Sequence, residues 1–196
     1  MIAALTGSIG MGKSTVATML RRMDVPVFDA DAEVRRLQGP GGALVAAIEA
    51  LHPGTTNAAG VDRGLLGQVV FGDREALARL EQLIHPVVGA RRTLFLRRYR
   101  SRPLVVLDVP LLFETGGDRH VDVVLVVSAA AWQQRRRVLR RPGMTASKFV
   151  RIRQLQVPDR IKRAKADHVI PTGGSLDETR ASVRAIVTCL GRRRLR

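Results

Sequence analysis

Cysteine is almost absent from this chain of 196 residues: Cys189 stands alone and has no partner for an internal disulfide. A reducing cytoplasm is therefore the expected compartment, with Cys189 read as a small apolar residue of the last helix. Asparagine also occurs once, at Asn57, so the Asn-Lys-x-Asp base reader of a GTPase switch cannot be written anywhere in the sequence. Aromatic residues make up only 4%, with Trp132 and Tyr99 isolated, which leaves no stacking platform of the kind that single-stranded nucleic-acid binders use. No apolar run approaches the ~18 to 20 residues that cross a bilayer. The opening Met1–Leu5 turns polar at Thr6-Gly7 with no basic flank, so no export signal is expected. Acidic residues are outnumbered, 17 against 33 Lys and Arg, for a net charge of +16. Nearly all of that charge is arginine, because lysine is confined to Lys13, Lys148, Lys162 and Lys165. Such an excess attracts polyanions or phosphorylated small molecules and does not choose among them.

What is present is enough for one α/β domain with small appendages, since 45% of residues are hydrophobic and 26% charged. Ile2–Leu5 is a short apolar run that ends in a glycine-rich loop, followed by helical spacing from Thr15 to Leu20. Val25–Phe28 reads as the second strand of a tight βαβ unit, with its strands parallel and adjacent, and a helix resumes from Ala32 to Leu37. Leu104–Val109 and Val121–Val127 are continuous apolar runs, as parallel strands buried on both faces require. His168–Ile170 reads as a short last strand. Leu176, Val183, Ile186, Val187 and Leu190 mark one face of a C-terminal helix, and Gly191–Arg196 reads as a frayed tail. The segments divide into a core of about 1–37, 103–132 and 164–196, a helical insertion of about 38–102 and an arginine-rich lid of about 133–163. Within the insertion, residues 52–57 read as a loop, and Leu77, Leu80, Ile84, Val87 and Val88 as one helix face.

Gly7-x4-Gly12-Lys13-Ser14 matches the phosphate-binding loop G-x-x-x-x-G-K-[ST], placed between a strand and a helix as its mechanism demands. Glycines let successive N–H groups turn inward around phosphates, and the helix N-terminus adds positive potential. Gly10, Met11, Gly12, Lys13, Ser14 and Thr15 are the candidate nucleotide-binding residues. Lys13 is placed to reach the β and γ phosphates, and the Ser14 hydroxyl to hold Mg²⁺. Transfer to a hydroxyl also needs a carboxylate to orient the nucleophile and take its proton. Asp29 and Asp31 both stand just past the second strand, at the edge where open α/β sheets bind ligands. Asp29 could be that base, a ligand of Mg²⁺-bound water, or the N-cap of the next helix. Asp108 closes the third strand at the position that organises Mg²⁺ in nucleoside triphosphatases.

Several segments together resemble one family. Thr6–Thr15, Asp29-Ala30-Asp31 with Arg35, Leu83-Ile84-His85-Pro86, Val109-Pro110-Leu111-Leu112-Phe113-Glu114, and Gln156 with Lys162 before Ala166-Asp167 look like dephospho-CoA kinase from end to end. The resemblance implies a P-loop kinase: a parallel five-stranded sheet flanked by helices, a helical acceptor-binding insertion and a lid. It implies transfer of the γ-phosphoryl group of ATP to the ribose 3′-hydroxyl of dephospho-CoA, with Mg²⁺. It further implies a cytoplasmic monomer with no specific nucleic-acid or membrane partner. On this likeness Asp31 is the catalytic base, with Lys13, Arg137 and Arg141 acting on the transferred group. Asp29, Arg35, His85, Pro110, Leu111, Leu112 and Glu114 fall to the acceptor, Glu114 having the alternative of capping the loop after Leu112, and Ser14 and Asp108 fall to the metal. The chain departs from the pattern at Gly89, where an arginine is usual, at Ile161, where an acid is expected, and at Thr172, where asparagine is common. Arg91 or Arg92 is the expected substitute for the missing arginine.

Overall fold

The computed structural model describes residues 1–193; the last three residues of the basic tail lie outside the described residues. The chain forms two compact units, Met1–Phe28 together with the chain from Tyr99 onward, and Asp29–Arg98.

The first unit is built on strands β1 (Ile2–Thr6), β2 (Val27–Asp29, whose last residue already counts with the second unit), β5 (Val105–Asp108), β6 (Val123–Ser128) and β7 (His168–Pro171). Its helices are α1 (Lys13–Arg22), α6 (Ala131–Leu139), α7 (Ala146–Gln154), α8 (Asp159–Ala164) and α9 (Leu176–Arg193). The five-stranded parallel sheet has the order β2-β5-β1-β6-β7. The expected adjacency of the first two strands is thus corrected, because β5 returns into the slot between them and pairs Ile2 with Val105 through Leu5 with Asp108. On its other side β1 pairs with β6, Ala3 with Val123 through Thr6 with Val126. With neighbours on both sides, β1 delivers the glycine loop to the middle of the carboxyl edge, where crossovers diverge and ligands of such sheets bind.

Strand periodicity sorts the core. Ala3, Leu5, Val123, Leu125 and Val127 face Val16, Met19 and Leu20 of α1 and Val183 and Leu190 of α9, while Ala4, Val124 and Val126 pack on Leu112 across the sheet. On α9, Leu176 is exposed and so leaves the predicted apolar face. Cys189 lies on α9, as expected, and is exposed.

The second unit holds α2 (Ala30–Gln38), α3 (Val45–Leu51), α4 (Arg63–Val70) and α5 (Arg74–Arg98), with a hairpin of β3 (Thr56–Asn57) and β4 (Gly60–Val61) where a loop was expected. Leu37, Leu44, Ile48, Leu66 and Leu80 are its core, with Leu83, Ile84, Val87 and Val88 packed against them. Leu77, predicted for that face, is 42% exposed. Helix α5 continues through Pro86, although the proline ring removes one i→i−4 hydrogen bond.

The close seat of the loop on β6 generates a stability prediction. A Cβ on Gly7 would lie 2.3 Å from Val127 Cγ2 and 2.9 Å from the Val127 carbonyl oxygen. Gly7→Ala is expected to destabilise the protein by about 1–3 kcal/mol through overpacking, read as a lowered midpoint in urea denaturation. An unchanged midpoint would contradict this seating.

Candidate active site

After Thr6 the chain leaves the sheet and turns back into α1 through a loop that admits few side chains. Gly10 and Gly12 have φ of +78° and +87°, where a Cβ is strained. A Cβ on Gly10 would also lie 2.5 Å from Val138 Cγ2, and one on Gly12 would press on Thr172 at 3.3 Å. Helix α1 starts with no side-chain cap and no acidic residue in its first turn. The Lys13 and Ser14 N–H groups have no helix carbonyl one turn back to bind, since the first acceptor, Gly12 O, takes Thr15 and Val16 N–H, and the positive end of the helix dipole adds to them. This is a cradle for an anion. Met11 plays a different part, because its side chain is buried in the core, its N–H donates to Ser8 O at 3.1 Å, and its carbonyl accepts from Thr172 Oγ1 at 2.7 Å.

Lys13 and Asp108 form an ion pair at the carboxyl edge, the carboxylate being 4% exposed. The structure thus brings together three predicted residues, Lys13, Asp108 and, one residue along the helix, Ser14. Arg137 turns its guanidinium onto the β7–α9 turn and donates to Thr172 O at 2.6 Å. Arg141 is exposed just beyond α6. Thr172 is buried and caps the phosphate loop. Next to it Gln133 Nε2 donates to Gly173 O at 2.6 Å. These two residues line an open pocket of about 450 Å³ together with Ser128, Ala130 and Trp132. Sequence reasoning missed this pocket, since Trp132 carries no motif.

The Pro110–Glu114 segment divides by burial. Pro110 accepts from Thr6 Oγ1 at 3.2 Å and Leu111 is exposed. Leu112, expected at the acceptor, has its side chain 2% exposed and packed in the core. Glu114 is likewise turned inward. Its Oε1 accepts from Val157 N–H at 2.8 Å and lies 2.8 Å from the ammonium of the fully buried Lys162. Burial works to raise the Glu114 pKa, and the Lys162 ammonium and the Val157 N–H outweigh it, holding the carboxyl below its usual range.

In the second unit Asp29 is the N-cap of α2, with Oδ1 accepting from Ala32 N at 2.9 Å. Asp31 lies in the first turn of that helix and is exposed. Arg35 and His85 are exposed on α2 and α5. Arg91 sits 3.5 Å from Glu33, which also binds Arg36 at 2.6 Å; Arg92 is exposed.

Residues 1–178 match the family model of dephospho-CoA kinase, CoaE. This chain belongs to the dephospho-CoA kinase family. A dephospho-CoA kinase of Novosphingobium aromaticivorans is 57% identical over 189 residues, 96% of this chain and 94% of that protein. One of Rhodospirillum rubrum is 56% identical over 88% of this chain and 83% of its own. A crystal structure from Thermus thermophilus superposes with a TM-score of 0.79 at 35% identity, covering 97% of both chains. A shikimate kinase from Acinetobacter baumannii, at 18% identity and a TM-score of 0.55 over all of this chain and 95% of its own, shares the fold. Among the described residues, no helix is long and apolar enough to cross a membrane.

The Glu114–Lys162 pair generates a pH prediction. A carboxyl with a lowered folded pKa contributes stability that is present above its unfolded pKa and lost as pH falls through the folded value. Glu114→Gln leaves Lys162 buried without its counter-charge and should cost about 3–5 kcal/mol at neutral pH. In thermal melts the gap from the parent should close as the pH falls below the usual carboxylate range. A gap that stays constant with pH would rule out the charge as its source.

Proposed function

We propose that this protein transfers the γ-phosphoryl group of ATP to the 3′-hydroxyl of the dephospho-CoA ribose, releasing coenzyme A and ADP. The observation that carries this reading is family similarity running unbroken through residues 1–178, across the phosphate loop and the acceptor-side segments alike. In the step itself the ribose oxygen bonds to the γ phosphorus as the bond from that phosphorus to the β–γ bridging oxygen breaks. ADP leaves with the electron pair, and the hydroxyl proton passes to a carboxylate.

Asp31 is the proposed base. Asp29 already spends Oδ1 on the Ala32 N–H as a helix cap, whereas the Asp31 carboxylate is exposed. The uncapped start of α1 binds the triphosphate, and Lys13, released from Asp108, follows the β and γ phosphates. Arg141 neutralises charge on the transferred oxygens, and Arg137, anchored on Thr172, borders the same path. The Ser14 hydroxyl and the Asp108 carboxylate are the oxygen donors that fit Mg²⁺, which supplies further neutralisation of the phosphate oxygens when bound. Arg35, His85, Pro110 and Leu111 are the proposed acceptor contacts, with Asp29 and Glu114 supporting the segments that carry them. The pocket beside Thr172 is the proposed adenine site, because the turn that presses on Gly12 also forms its wall. A cytoplasmic enzyme without a specific nucleic-acid or membrane partner is the compartment and partner reading that accompanies this activity.

The deciding experiment offers ATP and Mg²⁺ with dephospho-CoA, AMP or shikimate and follows ADP. Release is expected only with dephospho-CoA, the product carrying a 3′ phosphate; faster turnover with AMP or shikimate would overturn the proposal. Asp31→Asn should lower kcat by roughly 10² to 10⁴-fold with ATP affinity nearly intact, while Lys13→Ala should weaken ATP binding as well as turnover. Near-normal turnover in Asp31→Asn would move the base elsewhere. Trp132 is the single tryptophan, so ATP binding should change its fluorescence, and an unresponsive signal would place the adenine outside this pocket.

A further inference from the structure

Three side chains from outside the phosphate loop hold its peptide groups. Ile9 is bound from both sides: its N–H donates to Gln156 Oε1 at 3.0 Å, and its carbonyl accepts from Gln134 Nε2 at 2.8 Å. Gln134 lies on α6 and is 4% exposed, and Gln156 lies in the turn between α7 and α8. Two residues on, the Met11 carbonyl accepts from the Thr172 hydroxyl at 2.7 Å.

The consequence follows from peptide geometry. In a trans peptide the carbonyl and the N–H of the next residue point in opposite directions. Fixing Ile9 O toward Gln134 therefore aims the Gly10 N–H away from α6, and fixing Met11 O toward Thr172 aims the Gly12 N–H away from that turn. Gln156 fixes the Ser8–Ile9 peptide, whose Ser8 carbonyl accepts from Met11 N–H at 3.1 Å. Glycines have no side chain to limit their rotation, so without these contacts the N–H groups would have to be ordered by the ligand at an entropic cost.

The Gln156 turn is itself anchored. Val157 donates to Glu114, Lys162 pairs with the same carboxylate, and Ser128 Oγ donates to Asp159 Oδ2 at 2.8 Å. The glutamine thus reaches the loop from a fixed base.

We propose that Gln134 and Gln156 are positioning residues that preset the phosphate loop from the lid stem, by holding the Ile9 peptide groups so that the loop's N–H donors face the triphosphate. This deepens the kinase reading and rests on it for the identity of the nucleotide. Neither side chain needs to touch the ligand.

The test is competition binding of ATP, ADP and AMP against a fluorescent ATP analogue, on the full chain, with thermal midpoints measured alongside. Gln156→Met and Gln134→Met keep the length of the side chain and remove the hydrogen bond. Each should weaken ATP binding about tenfold, the scale of one lost hydrogen bond, with a smaller loss for ADP and little for AMP. The double variant should lose less than the product of the two, because both act on Ile9. KM for dephospho-CoA should stay unchanged. Equal losses for all three nucleotides, or a lowered thermal midpoint with ATP affinity intact, would overturn the proposal in favour of packing alone. Gln134 is buried, so the half-buried Gln156 supplies the variant that decides the matter if Gln134→Met does not fold. ATP binding is read directly, so a protein that binds ATP but leaves dephospho-CoA untouched sinks the kinase reading and not this one.

Discussion

Neighbouring elements press on the turn from β1 to α1 too closely for it to carry side chains at its glycines, and much of the first unit is arranged around that constraint. Gly7 lies against Val127 of β6, Gly10 against Val138 and Gln134 of α6, and Gly12 against Thr172 after β7. Each contact comes from an element that follows β1 late in the chain. The loop is therefore completed only when β6 and β7 have joined the sheet beyond β1, as the order β2-β5-β1-β6-β7 places them. The cost of three glycines is conformational entropy. The compensation is a set of donors held by hydrogen bonds at Ile9 and Met11 before any ligand arrives.

The buried charge pair serves the same arrangement. Lys162 is fully buried, and an ammonium in that position is costly unless paired. Glu114 supplies the counter-charge and, with the same oxygen, takes the Val157 N–H, so one carboxylate joins the loop after β5 to the turn after α7. A hydrophobic pair could fill the same volume, but it could not receive a backbone N–H and set that turn. The pair's worth lies in where it puts Gln156.

Much of this was legible in the residues, for physical reasons that differ from element to element. The phosphate loop was readable because glycine, lysine and serine at fixed spacing have few other uses. Strands β5 and β6 were readable because burial on both faces demands continuous apolar runs. The position of β2 was not, since a βαβ pattern gives handedness and direction but does not say whether a later strand will fill the slot between. The hairpin at Thr56–Val61 was missed because two-residue strands leave no period to detect. Leu112 and Glu114 illustrate a different limit. Both belong to a family-specific segment and were assigned to the acceptor, yet one packs in the core and the other turns to Lys162.

That last result bears on what a family motif means. The fold is shared with a shikimate kinase at 18% identity. Within this chain the Val109–Glu114 segment divides between the core and the surface. Leu112 packs in the core and Glu114 pairs with Lys162, while Leu111 is exposed. The segment carries structural duties: Leu112 fixes it to the sheet, Glu114 joins it to the turn after α7, and that turn's Gln156 reaches the Ile9 peptide of the phosphate loop. The loop after β5 and the phosphate loop are in this way joined through one carboxylate and one turn, so a buried carboxylate acts on the glycine loop through the turn it holds.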